Sequence, residues 1–210
     1  INKYLNGKKD SRIIVCHLGS GASITAVKDG KCVATSMGLT PCGGIMMNSR
    51  TGDMDPSVYY QVLKMSGKTN EEIFQEFNKA SGLYGVSTVS NDSRDVDAEA
   101  RKGNHDSLLA MKLWGRRVAD FIGQYFVRLG GCDLIIFSAG IGENAPEYRE
   151  LVFERINEAL GIKIDNKVNE ATFGGKEAVL SLPDSKIKVV VIPTDEEVMI
   201  ARDAYNIGCK

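Results

Sequence analysis

Apolar residues alternate with polar or small ones from Arg12 to His17, from Ala22 to Lys28 and from Lys31 to Ser36. A period of two predicts three β-strands. Gly19-Ser20-Gly21 joins the first pair and Asp29-Gly30 the second. Asp-Gly between alternating runs supplies the positive φ of a tight hairpin, so the three strands are expected to run antiparallel in sequence order. Periodicity then disappears over Met37–Asp53, which carries Gly38, Pro41, Gly43, Gly44 and Gly52 and reads as loop. A loop of that length inside a compact domain is usually functional or disordered.

The pattern next changes to a helical one. Asp55-Pro56 is an N-cap followed by proline at the first helical position, which starts a helix running to Ser66 before Gly67. Thr69 and Glu72 make a capping box for a second helix, ending near Ser81-Gly82. Leu83–Ser90 is rich in serine and glycine and is expected to be a link; Asn91-Asp92-Ser93-Arg94-Asp95 follows, and then a short charged helix to about Lys102. Trp114, Val118, Phe121, Ile122, Tyr125 and Leu129 recur at helical spacing and predict a core-facing helix over Asp106–Leu129. Asp133–Phe137 reads as a buried strand, Ala139–Asn144 as a glycine-rich loop, and Pro146 to Leu160 as the helix this loop opens. Lys186–Pro193 is the last strand, and Thr194 with Glu197 predicts a capping box for a final helix carrying Val198, Met199, Ala201 and Ala204. Strands followed by alternating helices and strands define an α/β domain. Its mixed sheet starts with three antiparallel strands and is flanked by helices.

Composition narrows the class. The 210 residues are 43% hydrophobic and 25% charged, enough for a sizeable core, and the formal net charge is -1. Without a basic stripe interleaved with aromatics, nucleic acid is not an expected partner, which leaves a small anion open. The five cysteines, at positions 16, 32, 42, 132 and 209, form no CxxC pair, which points to a reducing, cytoplasmic setting. Neither a signal peptide nor a membrane-spanning apolar run is expected. Ile1–Asp10 reads as the polar tail of a preceding element, leaving residues 11–210 as the domain and making the chain a piece of a longer protein.

Candidate chemistry centres on the two glycine loops. Gly19 and Gly21 either serve a tight turn or let a backbone approach a ligand. A second glycine-rich segment at Ala139–Asn144, after a strand, suggests that the two enclose a nucleotide.

The motifs His17-Leu18-Gly19-Ser20-Gly21-Ala22-Ser23, Ser36-Met37-Gly38, Ser90-Asn91-Asp92-Ser93-Arg94-Asp95, Ala139-Gly140-Ile141-Gly142-Glu143-Asn144 and Ile192-Pro193-Thr194-Asp195-Glu196-Glu197, in that order, resemble the carboxy-terminal half of the acetate kinase family. The resemblance covers nearly the whole chain. It implies a ribonuclease H-like domain of the actin/hexokinase/Hsp70 type, the nucleotide-binding half of a two-domain kinase that makes acetyl phosphate and ADP from acetate and ATP, reversibly. By resemblance, His17, Leu18, Gly19, Ser20 and Gly21 embrace the β- and γ-phosphates. Asp92, Ser93 and Arg94 line the adenosine site, and Gly140, Ile141, Gly142, Glu143 and Asn144 close over adenine and ribose.

Arg50 is implied as the catalytic arginine; on its own it reads as a solvated loop charge. Glu196 is implied to orient Mg²⁺ through water, while an acidic residue in a first helical turn is also ordinary dipole chemistry. Asp92 is equally a helix N-cap. Phosphoryl transfer between ATP and a carboxylate calls for such donors and a divalent cation, because the two anions repel. The resemblance further implies an acceptor pocket for acetate or a similar short carboxylate in an absent amino-terminal half, a homodimer, and a chain that is inactive alone. A propionate or butyrate kinase is the near alternative, and a non-catalytic nucleotide-binding module of the same fold is the distant one. A transition-state arginine is superfluous in a module that only binds.

Overall fold

The computed structural model describes residues 1–208, so Cys209 lies outside the described residues. A single helical turn, α1 (Asn2–Leu5), precedes β1 (Arg12–Leu18), β2 (Ala22–Lys28) and β3 (Lys31–Thr35). The helices α2 (Pro56–Ser66), α3 (Asn70–Lys79), α4 (Gly82–Ser87), α5 (Ser93–Arg101) and α6 (His105–Leu129) follow. After these come β4 (Leu134–Ser138), α7 (Ala139–Asn144), α8 (Pro146–Leu160), α9 (Asn166–Ala171), β5 (Ala178–Val179), β6 (Lys188–Val191) and α10 (Glu196–Gly208).

The six strands form one mixed sheet in the order β3-β2-β1-β4-β6-β5. β1, β2 and β3 are antiparallel neighbours, β4 runs parallel to β1, and β6 runs parallel to β4. This is the expected ribonuclease H-like, actin/hexokinase/Hsp70-type arrangement, with the two-residue β5 added antiparallel to β6. Because side chains alternate along a strand, Ile14, Cys16 and Leu18 face one side of the sheet with Ile24, Ile135, Phe137 and Val189. On that side α6 lays down Trp114, Val118, Ile122 and Tyr125, and α8 adds Val152, Phe153 and Ile156. Gly115 permits the close approach of these two helices, since a Cβ there would stand 2.8 Å from Leu151 Cβ. The opposite face holds a smaller cluster, Ile13, Leu134 and Val190, on which Tyr4 and Leu5 of the amino-terminal turn rest.

Several local expectations are met in detail. Asp55 Oδ1 accepts from Ser57 N at 2.7 Å with Pro56 at the helix start, and the Thr69–Glu72 capping box is complete. Others are corrected. Leu83–Ser90 is not a plain link, because Gly82 takes a φ of 64° and starts α4. Ala139–Asn144 is a short helix rather than an open loop. The predicted Thr194–Glu197 capping box does not form, because the Thr194 hydroxyl donates to Glu143 instead. Asp195 takes over, its Oδ1 accepting from Val198 N at 3.1 Å. No helix of the described residues is long and apolar enough to cross a membrane.

Candidate functional site

The parallel pair β1 and β4 ends at one level, with His17 opposite Ser138 in register. Both chains turn there, and in open α/β sheets the crevice beyond the carboxyl ends of parallel strands is where ligands bind. A cavity of about 550 Å³ lies at this edge, within the range of small-molecule sites. The glycine turn and the following long loop form one side, with Gly19, Ser20, Gly21 and Arg50; Asp92, Ser93 and Arg94 come from the start of α5, and Gly140, Ile141 and Asn144 from α7. Ten of the fifteen candidate residues thus meet around one space.

The irregular segment 37–53 is held by backbone bonds into neighbouring helices. Leu83 N donates to Met47 O at 2.9 Å, Tyr84 N to Asn48 O at 2.9 Å, and Ser81 N to Ser49 O at 2.9 Å. Gly82 makes this clamp possible, since a Cβ there would lie 2.1 Å from Met47 O. Met47, fully buried, then seats Arg50: its sulfur lies 3.4 Å from Ala22 N and 3.6 Å from Arg50 Nη1. Nη1 also lies 3.5 Å from Pro41 O, and among the described residues the guanidinium makes no ion pair. A Cβ on Gly21 would stand 3.0 Å from Arg50 Nη1, so the turn must be glycine for the arginine to lie against it.

On the facing wall, Asp92 caps α5 by accepting from Arg94 N at 2.9 Å, and the Arg94 side chain grips the same carboxylate at 3.0 Å. The Arg94 hydrogen bonds hold the Asp92 carboxyl below the usual carboxylate range. Asp92 is therefore both an N-cap and a cavity residue. Asn144 spends its amide inside the protein, with Nδ2 donating to Gly140 O at 3.0 Å and Oδ1 accepting from Gly174 N at 2.8 Å.

Five candidates stand away from the cavity lining. Leu18 is wholly buried in the core, and Gly142 packs with Phe137 and Leu18, where a Cβ would meet both at ordinary contact distance. His17 is half-buried at the sheet edge, its Nδ1 lying 3.3 Å from Ser138 Oγ. Glu143 is buried and turns inward. Its Oε1 accepts from Ala139 N at 2.7 Å, Thr194 N at 2.9 Å and Thr194 Oγ1 at 3.0 Å. That carboxylate also steadies Ala139 at a φ of 63°, a region costly for a residue with a Cβ and usually retained where function demands it. Glu196 is exposed at the start of α10, two residues past the segment Glu143 anchors. No group of three His, Cys, Asp or Glu side chains converges as a metal centre among the described residues.

Asn48, Ser49, Asn91 and Ala145 also line the cavity and were not among the candidate site residues. The wholly unforeseen contributor is Arg149, buried to 1% exposure with every partner an oxygen without formal charge. It donates to Gly142 O, Glu143 O, Asn169 Oδ1, Asn169 O and Thr172 O at 2.8–3.1 Å. Burial pulls its pKa down to about 10, which leaves it charged at neutral pH. An arginine in a helix read from sequence alone is a solvated charge, and nothing in its spacing distinguishes this one.

An α/β domain of the actin/hexokinase type, with a cavity at the carboxyl edge of its sheet, is the class that fold and site define. A sequence profile of the Acetokinase family matches residues 1–202. The acetate kinase of Thermotoga maritima is 46% identical over 204 residues, covering 96% of this chain and 50% of that protein. The crystal structure of Porphyromonas gingivalis acetate kinase superposes with a TM-score of 0.89 at 43% identity, over 95% of this chain and 49% of that one. A propionate kinase from Francisella tularensis gives 0.87 at 39% identity, over 96% and 50%. The chain belongs to the Acetokinase family, and it spans about half the length of the relatives it matches.

Proposed function

We propose that this chain is the carboxy-terminal, nucleotide-binding half of a cytoplasmic acetate kinase. In the whole protein, a carboxylate oxygen of acetate attacks the γ-phosphorus of ATP. The bond to the β,γ-bridging oxygen breaks, and ADP leaves as acetyl phosphate forms, reversibly. The observation that carries this reading is Arg50, a guanidinium without an ion pair among the described residues, lying against a glycine turn on the wall of a cavity. An unpaired cation so placed favours an anion, and its planar fork suits the equatorial oxygens of a transferring phosphoryl group. Gly19 and Gly21 allow close backbone approach to the phosphates, with His17 behind them. The walls Asp92–Arg94 and Gly140–Asn144 take the nucleoside.

The carboxylates of Asp92 and Glu143 are already engaged and Glu196 is exposed at the start of α10, so the donor set fits Mg²⁺ only as an ion that keeps most of its water. Glu196 is the residue that would hold the cation, through water, and the cation would supply positive charge against the phosphates. The acceptor pocket belongs to an amino-terminal half, and the whole protein is read as a homodimer. Propionate as acceptor is the second reading, favoured by the propionate kinase likeness.

The test is hydroxylamine trapping of acyl phosphate with acetate and with propionate. The 210-residue chain alone is expected to give none, and the full-length parent to turn over. Replacing Arg50→Ala in the parent is expected to lower turnover by about a hundredfold or more and ATP affinity far less. Acyl phosphate made by the chain alone, or equal losses in turnover and affinity, would overturn the assignment.

A further inference from the structure

We infer that the first turn of α8, through Tyr148 and Arg149, is the frame that sets the spacing of the two cavity walls, so that these buried neighbours are positioning residues for the nucleoside end of the ligand. The inference rests on the nucleotide reading above. Tyr148 Oη donates to Ser93 O at 3.1 Å, which fixes the wall at the start of α5. Arg149 Nη1 donates to Gly142 O at 2.9 Å and Glu143 O at 3.1 Å, which fixes the wall made by α7. Ser93 lines the cavity on one side; Gly140, Ile141 and Asn144 line it on the other.

Neither side chain reaches the cavity itself, and both are almost wholly buried, Tyr148 and Arg149 at 1% exposure each. The Tyr148 ring is wedged edge-on against Trp114, with centroids 5.1 Å apart and planes at 89°. Adjacent helical residues point about 100° apart, which is how one turn holds two separate walls. Arg149 reaches further, because Nε and Nη2 tie α9 to the same point through Asn169 and Thr172. α9 in turn precedes Gly174, whose N–H holds the Asn144 amide on the cavity wall. The guanidinium satisfies five acceptors in a fixed planar fork; an ammonium has three donors on one atom and cannot span them.

ADP and AMP titrations by calorimetry of the 210-residue chain and of Tyr148→Phe and Arg149→Lys, with melting of each free chain, decide the matter. Tyr148→Phe keeps the ring in place and carries the decision should Arg149→Lys not fold. The expected result is a rise in Kd of about threefold or more for Tyr148→Phe and tenfold or more for Arg149→Lys. ADP and AMP should shift by the same factor, so that their ratio is kept. A ratio that collapses towards one would show general loss of the cavity, and unchanged Kd values in folded variants would show walls that need no frame; either result overturns the inference. Absence of ADP binding by the unmodified chain overturns the nucleotide reading and this inference with it. Binding by the unmodified chain with unaltered affinities in the variants overturns this inference alone.

Discussion

Glu143 Oε1 accepts from both Thr194 N, at 2.9 Å, and Thr194 Oγ1, at 3.0 Å. One carboxylate oxygen thereby joins the turn after β4 to the segment that leads into α10. With Ala139 N as a third donor, the side chain is a staple between α7 and the segment before α10 at the sheet edge. Replacing Glu143→Ala strands these donors where the glutamate itself is only 9% exposed. The expected loss is about 3 kcal/mol of unfolding free energy, read by urea denaturation. A change below about 1 kcal/mol would mean that water substitutes for the carboxylate.

Two glycines near the cavity separate fold from function. A Cβ at Gly82 would lie 2.1 Å from Met47 O at a φ of 64°, and no neighbouring side chain can yield to relieve it. Gly82→Ala is expected to cost at least about 2 kcal/mol, seen as a lower melting temperature. At Gly21 the opposing atom is the end of a flexible arginine, 3.0 Å away. Gly21→Ala is expected to leave stability within about 0.5 kcal/mol and to push Arg50 aside. Turnover by the full-length parent should then fall more than tenfold. Equal stability losses at the two positions would contradict this division.

The helix cap on the cavity wall carries a pH signature. Hydrogen bonds from Arg94 lower the folded-state pKa of Asp92. A depressed carboxylate pKa contributes stability that is present above the unfolded value of about 3.9 and is lost as pH falls through the folded value. Asp92→Asn keeps an acceptor for Arg94 N but cannot titrate. The melting-temperature difference between the unmodified chain and Asp92→Asn should therefore be largest above pH 5 and close on acidification. A difference independent of pH between 2 and 6, on the order of the usual carboxylate range, would contradict this account.

How much of this was legible in the sequence follows from the range of the interactions. Local signals were readable because their partners are close in the chain: Asp29-Gly30 in a hairpin, Asp55-Pro56 and Thr69 with Glu72 at helix starts, the stripe from Trp114 to Leu129. The family motifs then gathered nine cavity residues that spacing alone scatters over more than a hundred positions, and the resemblance added Arg50. What stayed hidden depends on tertiary partners. Thr194 and Glu197 have capping-box spacing, yet a buried carboxylate 51 residues away takes the hydroxyl. Gly82 looked like a helix terminator, and its positive φ instead lets α4 begin against the loop that carries Arg50. Arg149 has no local mark at all, because its five acceptors come from α7, α9 and the residue after α9.

Nucleotide binding is the proposed role of the cavity at the carboxyl edge of β1 and β4. Gly140 lines it, and a Cβ there would meet nothing within 4 Å, so a bulky side chain enters the space without straining the fold. Calorimetric titration of the 210-residue chain with Mg-ATP, beside its Gly140→Phe variant, is the decisive measurement. Binding by the first, abolished in the second at an unchanged melting temperature, is the predicted result. No binding by the folded chain, or equal affinity in both, would contradict it.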